Sequence, residues 1–460
     1  MGREARHAGG DVGRVTFPPG FLWGATSSAV AIEGATRDDG REESIWDRFA
    51  QTPGAIRGGD TPKHACNSYR RFSEDVDLLR QMGMSSYRFS IAWPRVLPKG
   101  SGPENAAALD AYSRLVDLLL DADIRPFPTL YAWDLPQLLE QRGGWPLRDT
   151  AGRFADYADV VARGIGDRVG DWVLFDEPFV FTTAGYALGT HAPGRRDLDA
   201  FLRATHTVNL AQAEAFRAIR ATRPDARIGS AHRLSPCEPA GDAEGDAAAA
   251  ERWHAFANLW FVEPALAGRY PEAFPSGAPL ERMGVRDGDL ALLEVPLDFI
   301  GASVDARTFV ERATDDSFGI GARPTRRASS RDRTDAGWEI WPRALRDAIH
   351  DLDQRYESPV IEVTSNGCAY ADVPDETGHV HDPRRIDYHR GYLEALAEAI
   401  DAGAAVRSYH VGSLLDGFEW ADGYTLRRGL AHVDFPTGAR TLKESGHFMT
   451  RVAAENGFET

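Results

Sequence analysis

The chain has 460 residues, 43% of them hydrophobic and 26% charged, which is globular composition with ample length for a large core. A formal charge of −17 argues against nucleic acid as a partner, because such surfaces are basic. No apolar run approaches the roughly 18 residues of a membrane span, so no membrane partner is expected.

In chain order, residues 1–16 are polar and Gly-rich, lack the apolar core of a signal peptide, and read as a mobile segment of a cytoplasmic protein. Residues 17–460 read as one unit. β-rich runs at 21–27, 85–93, 125–133, 171–178, 226–233, 297–304, 358–365 and 406–415 are strand candidates. Amphipathic stretches lie between them. Residues 73–83 close on Gly83, residues 387–403 close on Gly403, and the Ala-rich 241–260 reads as a loop entering a helix. The polar stretch 326–337 reads as a loop near the mouth of the fold. Strand–helix alternation implies a parallel sheet, and eight units predict a closed α/β architecture, a single (β/α)8 TIM barrel. Cys66, Cys237 and Cys368 are odd in number and far apart, and form no Cys-x-x-Cys or Cys/His ligand spacing. Neither a disulfide framework, a zinc site nor any cofactor is therefore expected. Oligomeric state is open.

Chemistry in such barrels sits at the C-terminal ends of the strands. That rule selects Trp93, Trp133, Asp176 with Glu177, the segment Ser303 to Asp305, Ser365, and residues 412–420.

The motifs FPPGFLWGATSSA (17–29), YRFSIAWPRVLPKGSG (87–102), TLYAWDLPQ (129–137), NLWFVEPALAGRYP (258–271), GWEIWP (337–342) and SLLDGFEWADGY (413–424) follow one another along nearly the whole chain. In this order they resemble glycoside hydrolase family 1, the β-glucosidase family. The resemblance implies a (β/α)8 barrel that cleaves β-glycosides with two glutamates. One, the acid/base, lies in an asparagine–glutamate–proline motif. The other, the nucleophile, lies in a threonine–glutamate–asparagine–glycine motif. By that resemblance Glu177 matches the acid/base, Asp176 replaces the asparagine, and Ser365 occupies the nucleophile position.

Further departures surround the implied sugar site. Ala31 replaces a glutamine and Ala132 a histidine that grip sugar hydroxyls; Gly412 replaces a tryptophan platform. Ser303 begins the segment in which Asp305 replaces a tyrosine, and Arg428 replaces a phenylalanine. Arg88, Trp133, Glu419 and Trp420 match the family. A site that loses hydroxyl partners loses affinity steeply for the ligand it was built around.

Serine is a weak nucleophile without an adjacent base, and only His410 on the next strand offers one. Asp305 reads either as a general base or as an ion-pair partner of Arg88, and Arg428 either as a surface side chain or as a binder of acidic ligand groups. These departures predict a small-molecule enzyme redirected from glycoside hydrolysis to elimination, isomerisation or cyclisation of a bulky, specialised metabolite. In it Glu177 with Asp176 or Asp305 would do acid/base work. The alternatives are hydrolysis by inversion and a non-catalytic binding barrel.

Overall fold

The computed structural model describes residues 13–241, 243–326 and 331–460. Eight parallel strands close into a barrel: β1 (Leu22–Ser27), β2 (Ser86–Ser90), β3 (Arg125–Tyr131), β4 (Asp171–Asp176), β5 (Arg227–Arg233), β6 (Phe299–Ser303), β7 (Ile361–Asn366) and β8 (Val406–Gly412). Each pairs with its sequence neighbour, and β8 closes on β1 from Ser408–Leu22 to Gly412–Thr26. The principal helices of the outer layer are α1 (Phe72–Gln81), α2 (Ala106–Asp121), α3 (Asp149–Ile165), α4 (Leu198–Thr222), α5 (Asp246–His254), α6 (Arg343–Arg355), α7 (Pro383–Asp401) and α8 (Glu444–Glu455).

The helices form where apolar residues recur at three- and four-residue intervals. In α3 the buried face is Phe154, Tyr157, Ala158, Val161, Ala162 and Ile165. In α7 it includes Tyr388, Tyr392, Leu396 and Ala399, with Pro383 in the first turn, where its missing N–H costs nothing. Inside the barrel Phe127, Val173, Ala231 and Phe299 pack as a separate cluster. Close packing there demands small neighbours: a Cβ on Gly24 would strike His410 and the Ser86 carbonyl.

All eight strand candidates are barrel strands, with ends shifted by backbone chemistry. β2 stops at Ser90, short of residue 93, because Pro94 opens a helical turn, Trp93–Val96. β4 stops at Asp176 because Glu177 is left-handed (φ 46°) and Pro178 starts the next helical turn. β7 begins only at Ile361, after Glu357 and Ser358 at positive φ. The segment expected to be mobile, 1–16, lies outside the described residues as far as residue 12. Its last three residues, Arg14–Thr16, are ordered as a strand against Gly457–Glu459, because Phe458 buries itself there. Residues 327–330 of the polar stretch 326–337 also lie outside the described residues.

The two ends of the barrel differ in chemistry. At the strand starts, Asp171 pairs with Arg125 (3.2 Å) and Arg227 (2.5 Å), and Arg227 also reaches Glu362 (3.1 Å). The strand ends open into a cavity of about 420 Å³, in the size range of small-ligand sites. Among the described residues no helix is long and apolar enough to cross a membrane. Cys66, Cys237 and Cys368 are all free thiols.

Candidate active site

The floor of the cavity is built around Arg88 on β2, 3% exposed. Its Nε donates to Thr129 Oγ1 (3.0 Å) and its Nη1 to the Thr364 carbonyl (3.3 Å), fixing the guanidinium beneath the end of β7. Its Nη2 ion-pairs with Asp176. A buried guanidinium without a carboxylate would be costly. With serine at 365, the carboxylate that answers Arg88 comes from the end of β4. The expected Asp305–Arg88 pair is therefore corrected.

Glu177 follows directly on Asp176. Its left-handed backbone is unfavourable for a side chain of this kind and is held by the N–H of Glu177 donating to the Ala231 carbonyl (2.8 Å). Ser303 Oγ donates to its carboxylate, and Arg233 Nη1 lies 4.0 Å from Oε2. The side chain is 13% exposed and lines the cavity. Burial pushes its pKa up, the Arg233 charge opposes that rise, and Asp176 adds to it.

Asp305 is buried and answers a different set of cations. Its Oδ2 lies 3.2 Å from Arg233 and 3.7 Å from Arg428, and its Oδ1 accepts from the Gly367 N–H (3.1 Å). It is turned towards β5 and the loop after β8, because the loop after β6 delivers it on that side of the cavity. Arg428 lines the cavity. It is not the surface side chain expected as one reading, being 13% exposed, and it shares Asp305 with Arg233. Trp338 has Arg233 (4.6 Å) on its ring and Arg428 (4.8 Å) as well. Each is a cation–π contact.

The walls are aromatic on one side and bare on the other. Trp133 and Trp420, both at positive φ, stack at 4.2 Å with 29° between planes. The Trp133 indole donates to the Asp176 carbonyl (2.8 Å), tying this wall to the floor. His191 packs on Trp133 at 5.8 Å. Ala31, Ala132 and Gly412 line the cavity without side-chain donors or acceptors. A Cβ on Gly412 would collide with Ser365 Oγ, so residues 412 and 365 are matched in size. Glu419 faces the cavity with its pKa raised to about 7 by burial, against the pull of Arg428.

His410 does not activate Ser365. Its Nε2 is 3.0 Å from Ser86 Oγ and its Nδ1 3.2 Å from the Val363 carbonyl, and burial lowers its pKa to about 3. It belongs to the barrel core, where it packs on Phe127. Trp93 is likewise core, stacked on Tyr157.

The structure thus brings Arg88, Asp176, Glu177, Asp305, Ser365, Glu419, Trp420 and Arg428 into one cavity, with Ala31, Trp133, Ala132 and Gly412 on its walls. Ser303 is buried and contributes its hydroxyl to Glu177. Sequence reading missed Arg233, Trp338 and His191. Arg233 was findable as the last residue of a predicted strand. Among the described residues no trio of metal-ligating side chains converges on this cavity. What the arrangement offers is a carboxyl group with raised pKa beside an arginine-held carboxylate, over an aromatic platform.

The glycosyl hydrolase family 1 model matches residues 14–458. β-Glucosidase A of Acetivibrio thermocellus is 41% identical over 451 residues, covering 97% of this chain and all of that protein. β-Glucosidase A of Thermotoga maritima is 38% identical, covering 96% and 99%. The solved family 1 β-glucosidase from Thermotoga maritima superposes with a TM-score of 0.92 at 38% identity, covering 98% of this chain and 100% of that one. A further structure of that enzyme, in complex with deoxynojirimycin, gives 0.91. These findings overturn the reading of a barrel redirected to elimination, isomerisation or cyclisation, and favour neither an inverting hydrolase nor a non-catalytic barrel. Relatives 38–41% identical across almost the whole chain are named β-glucosidases. The lost sugar contacts, taken together, point away from glycosides only as long as no other carboxylate answers Arg88, and Asp176 does. With the family model spanning residues 14–458 and the barrel superposing over nearly its whole length, the chain belongs to glycosyl hydrolase family 1.

Proposed function

We propose that the protein hydrolyses β-glucosides, with Glu177 as general acid and then base and Asp176 as the second carboxylate. Ser365 stands where the family resemblance places a nucleophile glutamate. The observation that carries this reading is the pairing of two unlike carboxyl groups. Glu177 has a raised pKa and a hydroxyl partner, whereas Asp176 is gripped by Arg88. A carboxyl group with raised pKa suits the acid role, and an arginine-paired carboxylate beside it suits charge stabilisation. Protonated Glu177 gives its proton to the glycosidic oxygen as the bond to the anomeric carbon breaks. The Asp176 carboxylate meets the positive charge developing there. Water, losing a proton to Glu177, completes the hydrolysis. Asp305 holds Arg233 and Arg428 in place and so acts on Glu177 through Arg233. Glu419, with a pKa of about 7, both donates to and accepts from sugar hydroxyls near neutrality. The Trp133–Trp420 stack offers a flat apolar face to the ring.

The test is hydrolysis of 4-nitrophenyl β-glucoside and of a β-glucoside with an alkyl leaving group. Wild type is expected to cleave both. Glu177→Gln is expected to lose about 10²- to 10⁴-fold in kcat, more on the alkyl substrate, whose leaving group needs the proton. Ser365→Glu, which adds a carboxylate above Arg88, is expected to raise turnover. No cleavage by wild type, or unchanged turnover by Glu177→Gln, would overturn the assignment.

A further inference from the structure

The loop between β7 and α7 carries a second cluster of ionisable side chains, and none of its members lines the cavity. Asp375 opens a tight turn. Its Oδ1 accepts from the Thr377 N–H (2.8 Å), the Thr377 hydroxyl (2.7 Å) and the His379 N–H (3.0 Å), and Gly378 takes φ 84° to close the turn. With Oδ1 occupied by the turn, Oδ2 is left facing His381 Nε2 at 3.3 Å. The same Nε2 lies 2.9 Å from His379 Nδ1, and the two rings stand 83° apart. One ligand atom from each of Asp375, His379 and His381 falls within 4.8 Å of the others.

A fourth residue orients the cluster. Glu444, in the first turn of α8, places Oε1 2.9 Å from His381 Nδ1. When Nδ1–H donates to that carboxylate, neutral His381 presents a bare lone pair at Nε2. That Nε2 lies 3.3 Å from Asp375 Oδ2 and 2.9 Å from His379 Nδ1, so the three ligand atoms can share one cation. Metal-bound histidines commonly give their other ring N–H to a carboxylate, which fixes tautomer and ring orientation.

We infer that Asp375, His379 and His381 form a site for a first-row divalent cation of the zinc class, oriented by Glu444. Two imidazole nitrogens and one carboxylate oxygen favour Zn²⁺, Ni²⁺ or Co²⁺ over Mg²⁺ and Ca²⁺, which prefer all-oxygen sets. Asp375 and His381 are solvent-exposed and His379 is half-buried, so water completes the coordination. The site sits where the β7–α7 loop meets α8. A cation held there pins that loop to the C-terminal helix and stabilises the fold by mass action, because the unfolded chain has no preformed site. Asp375-x3-His379-x-His381 is not one of the familiar cysteine and histidine spacings, so the site is not apparent in the sequence.

Tag-free full-length protein, stripped with chelator, is titrated with Zn²⁺ by calorimetry, and its thermal midpoint is followed with and without the ion. Wild type is expected to bind one Zn²⁺ and to melt higher in its presence. His379→Asn and His381→Gln should each weaken binding at least ten-fold and abolish the rise in melting temperature. Glu444→Gln, which keeps every ligand, is expected to weaken binding about ten-fold. β-Glucoside turnover by these variants is expected to stay at the wild-type level, so failure here is separable from failure of the proposed activity. Absence of saturable Zn²⁺ binding by wild type, or equal affinity in the His379→Asn/His381→Gln double variant, would overturn the site.

Discussion

At the scale of single residues, the site is governed by which cation faces which carboxylate. Arg88 holds Asp176 at the floor, whereas Arg233 stands between Asp305 and Glu177. The Arg233 charge favours the ionised form of Glu177 and so lowers a pKa that burial has raised. Arg233→Met removes that opposition, and the folded pKa of Glu177 rises further. Since protonated Glu177 is the acid, activity is lost as pH rises through this pKa. The alkaline limb of kcat/KM against pH is therefore expected to move to higher pH in Arg233→Met. A limb that stayed in place or moved down would show that Arg233 does not tune Glu177.

The same residues show how far the sequence could be read. Glu177 was legible because the resemblance and the strand-end rule pointed to it independently. The partner of Arg88 was not. Asp176 ends one strand and Asp305 follows another, and nothing in their spacing says which carboxylate turns towards β2. That depends on the loop after β6 placing Asp305 within 3.2 Å of Arg233.

At the scale of elements, the loops that shape the cavity are anchored by a buried ionic network behind its wall. Arg385 on α7 bonds Asp382 (2.9 Å) and Asp372. Lys443, just before α8, bonds Asp372 (3.1 Å) and Asp416 (2.9 Å). Arg427 closes the chain on Asp416 (3.0 Å). The network joins the β7–α7 loop, the loop after β8 and the final helix, which is also where the proposed cation site lies. Lys443 is fully buried. Removing one partner from a buried pair leaves uncompensated charge, so Lys443→Met is expected to cost about 3 kcal/mol in urea unfolding. A change within a few tenths of a kcal/mol would mean that the two arginines satisfy both aspartates unaided.

At the scale of the whole molecule, the barrel is closed twice: β8 pairs with β1, and outside it Arg14–Thr16 pairs with Gly457–Glu459. The second closure is packed as well as hydrogen-bonded. Phe458 is buried against Phe448, and Trp23 Nε1 donates to Asn456 Oδ1 (3.0 Å). Phe458→Ala is expected to lower stability by about 3 kcal/mol, the usual cost of emptying a buried phenylalanine site. Glucoside turnover at 25 °C should be unchanged, because the closure lies at the strand-start end, away from the cavity. Loss of turnover without loss of stability would contradict that separation.

The sequence by itself determined the alternation of strands and helices, hence the eightfold barrel, and it marked the strand ends as the place for chemistry. Those features rest on local periodicity, and neighbouring residues carry that signal. Through the family resemblance it also drew attention to Ser365, Gly412, Ala31 and Ala132. Only the tertiary structure decided which carboxylate answers Arg88. Arg88 is on β2, Asp176 on β4 and Thr364 on β7, far apart in the chain, and they meet only when the barrel closes. Charge compensation depends on distance across the cavity, and a linear sequence does not encode that distance in any local pattern.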